Sequence, residues 1–302
     1  MNIFMTGATG FIGRILSRRL MTEGHRVTIL TRAIRKGAVL PEGIFFFEGN
    51  PTKPGPWQEE LLRHEVIINL VGATVFRLWS RKGKKEIMES RILATRNIIE
   101  ALEGRRGKVL QLLNASAVGY YGFHRDEILD ETAPSGNDFL AQVVSKWESE
   151  ARCAEKFGVR VICCRFGLVL ARNEGVLSKM VLPYKFYLGS QFGNGKQWLS
   201  WVHEQDLSNI MIFLLSLKNI EGPVNCTAPF PVPNRDLTYA LGKVLKKPLF
   251  IFPVPGFILR LGLGEFSNFL LQGQRVIPKI LEGHGFCFKF PTINEALNDL
   301  FG

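Results

Sequence analysis

Short apolar runs and longer amphipathic segments take turns along the chain through about residue 170. The runs fall at residues 2–5, 25–30, 44–48, 66–73, 109–116 and 160–165, and each reads as a strand. Between them apolar side chains return every three or four positions. Ile15, Leu16 and Leu20 follow the first run, a short segment lies at 57–62, Ile87, Ala94 and Ile98 mark 84–102, and a further segment spans 139–156. That spacing predicts helices. The 66–73 run is apolar almost throughout and ends at glycine, as a strand covered on both faces does. Strand and helix in alternation predict an α/β fold, a Rossmann-type doubly wound parallel sheet.

Past residue 170 the alternation loosens. Residues 180–195 read as partly helical and glycine-broken, 198–202 as a strand, and Asp206 as the N-cap of an apolar helix over 207–217. Another strand is expected at 224–226. A proline-rich connector at 229–233 precedes a segment with helices near 234–245 and 293–300. This predicts a dinucleotide-binding core from residues 1–170 plus about 206–228. A smaller substrate-side lobe takes about 171–205 plus 229–302.

The first run and the first helix are joined by Thr6-Gly7-Ala8-Thr9-Gly10-Phe11-Ile12-Gly13. Its G-x-x-G-x-x-G spacing is one residue longer than the usual dinucleotide fingerprint. A helix N-terminus offers unpaired N–H groups and the positive end of its dipole, and glycines let a pyrophosphate approach the backbone. Strand, glycine turn and helix in this order predict a dinucleotide site. The second strand ends in Thr31-Arg32-Ala33-Ile34-Arg35-Lys36, with no carboxylate to hold a ribose 2′-hydroxyl. Arg32 suits a 2′-phosphate instead, which predicts NADP (NADPH) as the cofactor.

Composition narrows the remaining classes. Of 302 residues 46% are hydrophobic, ample for a packed core. The five cysteines lack C-x-x-C spacing and read as reduced thiols of a cytoplasmic protein. No cluster has metal-ligand spacing. The nearest approach to a membrane span, residues 249–263, is broken by Pro253, Pro255 and Arg260. The net charge of +11 is scattered, and its densest run (Arg77, Arg81, Lys82, Lys84, Lys85) has only Trp79 beside it. That run reads as a solvated face or the wall of an anionic-substrate cleft. With no binding motif, the expectation is no nucleic-acid partner and no membrane partner.

Several motifs together resemble a known family. The Thr6–Gly13 turn resembles the opening of extended and atypical short-chain dehydrogenase/reductases, and Asn69-Leu70-Val71-Gly72-Ala73 resembles their fourth-strand signature. Ser116-Ala117-Val118-Gly119-Tyr120-Tyr121-Gly122, Phe139-Leu140-Ala141, Trp147-Glu148 and Trp201-Val202-His203 are similar to an epimerase-like atypical subfamily, also called sugar-nucleotide-epimerase-like or cell-division-inhibitor-like. Its members carry a short C-terminal domain of unknown function, which the residues from about Asn234, including Gln274-Arg275-Val276-Ile277-Pro278, resemble. The resemblance implies a Rossmann core holding NADP(H). The diphosphate would lie at Gly10, Phe11, Ile12 and Gly13, with Gly7 and Thr9 also cofactor-binding, and the adenosine phosphate at Thr31 and Arg32, with Arg35 a further cofactor contact. Leu70, Val71 and Gly72 would flank the adenine side, Glu86 and Arg91 would approach the cofactor, and Val169 would sit by the nicotinamide.

Active members of that superfamily pair a serine with Tyr-x-x-x-Lys; the tyrosine moves the proton, and the lysine lowers its pKa and holds the ribose. Ser116 matches the serine and Lys146 falls at the lysine, but Gln142 stands four residues before it, and glutamine is neither acid nor base. Tyr120 is the candidate replacement, Tyr121 reads as a structural residue, and His203 as a packed, hydrogen-bonded histidine. Two functions stay open. One is an NADP(H)-dependent oxidoreductase or epimerase acting on a small, nucleotide-sugar-like substrate. The other is a catalytically impaired NADP(H)-binding module with a regulatory or scaffolding role. The expected partner is a small molecule, and a homodimer is left open.

Overall fold

The structure is a computed structural model that describes residues 1–34, 43–103, 109–250 and 252–302. The first half runs β1 (Asn2–Thr6), α1 (Phe11–Thr22), β2 (Arg26–Thr31), β3 (Ile44–Glu48), α2 (Trp57–Leu61), β4 (Val66–Asn69), α3 (Arg81–Glu103), β5 (Gln111–Ala117), β6 (Ile128–Leu129), α4 (Phe139–Arg152) and β7 (Arg160–Phe166). Then come β8 (Leu168–Leu170), α5 (Gly175–Lys185), β9 (Trp198–Leu199), β10 (Trp201–His203), α6 (Glu204–Ser216), β11 (Gly222–Cys226), β12 (Val232–Pro233) and α7 (Asn234–Val244). The chain closes with α8 (Gly256–Leu263), α9 (Ser267–Leu271), β13 (Arg275–Val276), α10 (Lys279–Gly283) and α11 (Ile293–Phe301).

Seven strands form one parallel sheet in the order β11-β7-β5-β4-β1-β2-β3. Successive strand residues point to opposite faces, so each strand feeds two cores. Ile3, Met5, Ile68, Leu113 and Cys164 face Leu16 and Leu20 of α1 and Leu207, Met211 and Leu214 of α6. Phe4, Ile67, Leu112 and Cys163 face Trp57, Ile98, Leu102 and Ala151 on the other side. Each such fully buried side chain is worth about 1.5–3 kcal/mol against exposure. The winding reverses between β1 and β4, where Thr6 lies beside Asn69. A doubly wound sheet opens its crevice at that switch point, beyond the strands' carboxyl ends.

Four boundaries differ from the sequence pattern. The 66–73 run leaves the sheet after Asn69, whose buried amide accepts from Thr6 Oγ1 (2.7 Å) and donates to Asn114 Oδ1 (2.7 Å) and Thr95 Oγ1 (3.0 Å). The 139–156 helix keeps α geometry only to Arg152 and tightens into a 3₁₀ turn over Cys153–Phe157. The 198–202 strand divides at Ser200, whose hydroxyl donates to Gln274 O and accepts from Val276 N. Asp206 is not a cap: α6 starts at Glu204, with His203 Nδ1 accepting from Gln205 N at 3.1 Å. Asp206 is spent on a long-range contact that no local pattern announces, accepting from Lys289 N and Phe290 N at 2.9 Å each.

The C-terminal segment does not stay in one lobe. Leu237 and Leu241 of α7 and Leu297 and Leu300 of α11 build a separate cluster with Leu170, Tyr184 and Trp201. Leu281 of α10 instead enters the main core beside Ile220 and Cys226, and β13 pairs in parallel with β6. The segment after residue 229 thus contributes to both clusters.

Candidate functional site

At the switch point the chain turns through Gly7 and Gly10 into α1. Gly7 has φ 71°, and a Cβ there would lie 2.6 Å from the Leu70 carbonyl carbon. A Cβ on Gly13 would fall 2.4 Å from Ala8 Cα, so the first turn of α1 packs on the loop only with glycine there. Gly10 N donates to Gly7 O, closing the turn. The helix start has no side-chain cap and no acidic residue in its first turn. Its free N–H groups open onto a cavity of about 560 Å³, within the range of cofactor and ligand sites.

The walls of this cavity include many of the residues picked out from the sequence. Gly7, Gly10, Phe11, Ile12 and Gly13 form one wall, Leu70, Gly72 and Arg91 the next, with Ser116 and Val169 deeper in. Arg91, on α3, reaches back so that Nη1 donates to Ala73 O (3.1 Å) and Ile87 O (2.8 Å), with its guanidinium 5.1 Å from the Trp147 ring centre. A Cβ on Gly72 would meet that guanidinium at 2.9 Å, so the glycine makes its room. Among the described residues no carboxylate pairs with Arg91, and burial pulls its pKa down to about 10. An unpaired, half-buried cation beside an open helix N-terminus is suited to an anion.

Other expected positions lie elsewhere. Thr31 and Arg32 stand outside the cavity wall at the carboxyl end of β2, Thr31 half-buried with its hydroxyl on Ala33 O and Arg32 exposed. Thr9 and Val71 flank the wall without lining it; the Thr9 carbonyl accepts from Arg14 Nη1. Arg35 lies outside the described residues. Glu86 is exposed on α3 and paired with Arg77 at 2.7 Å, and it does not line the cavity although its neighbour Ile87 does.

The catalytic reading is corrected more fully. Gln142 and Lys146 share a helix face, but it is the outward one, and both are exposed. The face of α4 that lines the cavity carries Leu140, Val143, Val144 and Trp147, an apolar stripe at i, i+3, i+4, i+7. Tyr120 is also outside. Its ring packs against the Arg165 guanidinium, 3.5 Å from the ring centre, in a small cluster with Val118, Leu129 and Val276. Among the described residues the only charged ones lining the cavity are Arg91 and Asp138, and Asp138 is engaged as the N-cap of α4, accepting from Leu140 N and Ala141 N.

Ser116 does line the cavity, and its surroundings were not visible in the sequence. Its hydroxyl donates to Glu148 Oε1 at 2.5 Å. Glu148 in turn receives Nε and Nη2 of Arg165, both at 2.8 Å, in a pair almost wholly excluded from water. Burial alone would lower the Arg165 pKa, but the Glu148 carboxylate outweighs it and raises it. Arg165 Nη1 donates to Tyr121 Oη (2.9 Å), which donates to Asn225 Oδ1 (2.7 Å); burial pushes the Tyr121 pKa up to about 12, so it stays protonated. Asn225 ends the chain in the C-terminal segment, donating to Ile277 O. With its hydrogen committed to Glu148, Ser116 turns lone pairs toward the cavity and acts there as an acceptor. His203, by contrast, is packed: it is fully buried, 4.0 Å from the Phe290 ring centre and facing Asp299 at 3.3 Å, and burial lowers its pKa to about 4.

Parallel sheet, switch-point crevice, glycine turn and uncapped helix define a Rossmann-type α/β protein of the short-chain dehydrogenase/reductase kind. The model of the NAD dependent epimerase/dehydratase family matches residues 3–226, and a domain of unknown function, DUF1731, matches 254–300; the chain belongs to that epimerase/dehydratase family. It is similar to the epimerase family protein YfhF of Bacillus subtilis, 37% identical over 301 residues that cover 99% of this chain and 98% of the relative. A chloroplastic SDR39U1 homologue of Arabidopsis thaliana is 37% identical over 98% of this chain and 86% of its own length. Among solved structures, the human epimerase family protein SDR39U1 with NADPH superposes with a TM-score of 0.87 at 28% identity, over 99% of each chain.

Proposed function

We propose that this protein holds NADP(H) in the switch-point cavity and exchanges hydride with a small, uncharged hydroxyl-bearing substrate, without a tyrosine–lysine relay. The observation that carries this reading is the convergence, on one cavity, of the uncapped α1 N-terminus, the unpaired Arg91 and the inward-facing acceptor Ser116. The first two suit the diphosphate, and Arg32 at the end of β2 suits a 2′-phosphate. The human relative solved with NADPH supports the choice of nucleotide. When bound, the nicotinamide supplies the hydride chemistry, and the protein supplies position and polarity.

The far wall sets the substrate class. Met180, Phe192, Trp198, Phe269 and Leu270 make it apolar and aromatic, with neutral polar groups from Asn234, Gln272 and Gln274. A nucleotide sugar would bring a second diphosphate into a space whose lining has, among the described residues, no cation besides Arg91. An uncharged molecule with one hydroxyl fits better, its O–H donating to Ser116 Oγ, which takes that proton on oxidation as its own passes to Glu148 Oε1.

A second reading, a binder that does not turn over, is favoured by the Leu140–Val144 face, which puts no proton donor near the reacting centre. A screen of uncharged alcohols with NADP⁺, followed by absorbance of NADPH, separates the two. An enzyme reduces NADP⁺ with at least one of them, and Ser116→Ala lowers kcat while leaving NADPH affinity in place. Turnover unaffected by Ser116→Ala refutes the assigned role, and tight calorimetric binding of UDP-glucose to the NADPH-loaded protein refutes the substrate class.

A further inference from the structure

Away from the cavity, one stretch of surface concentrates large apolar side chains that no described residue covers. Helix α8 has no buried residue at all, and it exposes Phe257 (70%), Ile258 and Leu261 (88%). Beside it the loop after α5 exposes Phe186 and Leu188, and the segment leading to α8 exposes Phe252 (69%). These segments are laced into one unit by backbone bonds: Phe250 N donates to Gly189 O (2.8 Å), Val254 N to Gln191 O and Gly193 N to Val254 O (2.9 Å each). Ser190 Oγ adds a bond to Phe252 O at 2.7 Å.

The charges of this unit are all of one sign. Residues 175–203 and 237–264 contain none of the chain's 27 Asp and Glu. They do contain Lys179, Lys185 and Lys196 in the first segment and Lys243, Lys246, Lys247 and Arg260 in the second. Lys247 lies 4.4 Å from the Tyr187 ring centre, between the aromatic side chains and solvent.

We infer that this face docks onto the surface of an anionic lipid bilayer. Protruding apolar tips need no complementary pocket when the partner is a fluid interface, and cations around them meet lipid phosphates. A second copy of the chain in a two-fold contact would set the same cations against each other. No helix among the described residues is long and apolar enough to cross a membrane, so the contact is peripheral. Docking also brings the cavity near the interface, because Phe192 bridges to Val254 within this unit and lines the cavity as well. An uncharged apolar substrate can then be drawn from the membrane, a consequence that rests on the function proposed above; the docking itself does not.

The test is co-sedimentation of the full chain with phosphatidylcholine vesicles, with and without phosphatidylglycerol. Phosphatidylglycerol should raise the bound fraction on the order of ten-fold, and added salt should reverse the gain. Phe257→Ser with Leu261→Ser, and separately Lys246→Glu with Arg260→Glu, should each abolish the gain; circular dichroism melting confirms that these exposed substitutions leave the fold intact. Vesicle binding unchanged in both variants overturns the proposal. So does a wild-type chain that ignores phosphatidylglycerol vesicles, whether it instead binds polyglutamate or sediments as a dimer that the double serine variant dissociates.

Discussion

Replacing Arg91 by methionine isolates the cofactor reading from ordinary packing. Methionine keeps the apolar stem against Trp147 and Ile87 and removes the guanidinium. In the unliganded protein the loss is small: two hydrogen bonds to carbonyls go, each worth about 1 kcal/mol, but so does a partly desolvated charge with no carboxylate among the described residues to balance it. Thermal stability of the free protein should therefore move little. With NADPH bound as proposed above, the guanidinium would face the diphosphate, and a hydrogen bond to a charged group is worth about 1.5–3 kcal/mol, or roughly 10- to 150-fold in Kd. Calorimetry should show that weakening directly. Differential scanning should show it as linkage: a ligand at about 100 times Kd stabilises by about 2.7 kcal/mol, and a ten-fold weaker Kd at the same concentration leaves only about 1.4 kcal/mol. Unchanged NADPH affinity together with a sharp fall in the melting temperature of the free protein would refute the reasoning and make Arg91 a structural cation.

Arg32→Asp should invert nucleotide choice, weakening NADPH by at least ten-fold, about 1.4 kcal/mol, while sparing NADH; equal titration curves before and after would remove Arg32 from the 2′-phosphate. Glu148→Gln should cost about 3–5 kcal/mol in denaturant unfolding because it strands the buried Arg165 charge, and Glu148→Leu with Arg165→Met should cost less than either change alone. His203, with a folded pKa of about 4 against 6.5 when free, stays neutral while the unfolded chain takes up its proton. Stability should thus fall as pH drops from 6.5 toward 4, by at most about 1.4 kcal/mol per pH unit from this group, and His203→Gln should flatten that slope; an unaltered slope assigns it to other groups.

The sheet was legible because its central strands are buried on both faces and carry a largely apolar signal, and because the glycine turn has geometric requirements that only glycine meets at Gly7 and Gly13. The cavity's composition was half legible. The 140, 143, 144, 147 stripe on α4 is an ordinary helical repeat, and laying it against the motif would have shown that Gln142 and Lys146 face away. The partners of Ser116 had no such trace: Glu148 and Arg165 belong to a helix and a strand and meet only once α4 lies on β7. Asp206 misled for a related reason, since a short polar residue before an apolar run is a cap by local rules, and only the return of residues 289–290 claims it.

The buried polar chain that begins at Ser116 has a further consequence at its other end. Asn225 donates to Ile277 O, and its backbone N–H shares Glu131 Oε1 with the N–H of Ile280. Residues 3–226 and 254–300 match two separate family models, yet two of those bonds, Asn225 to Ile277 O and Ile280 N to Glu131, tie one segment to the other. A chain without its last fifty or so residues would leave Asn225 and Glu131 short of partners beneath Ser116. An unrelated tail would have to supply a carbonyl and an N–H at the same two points. The two segments are bound to travel, and to change, as one unit.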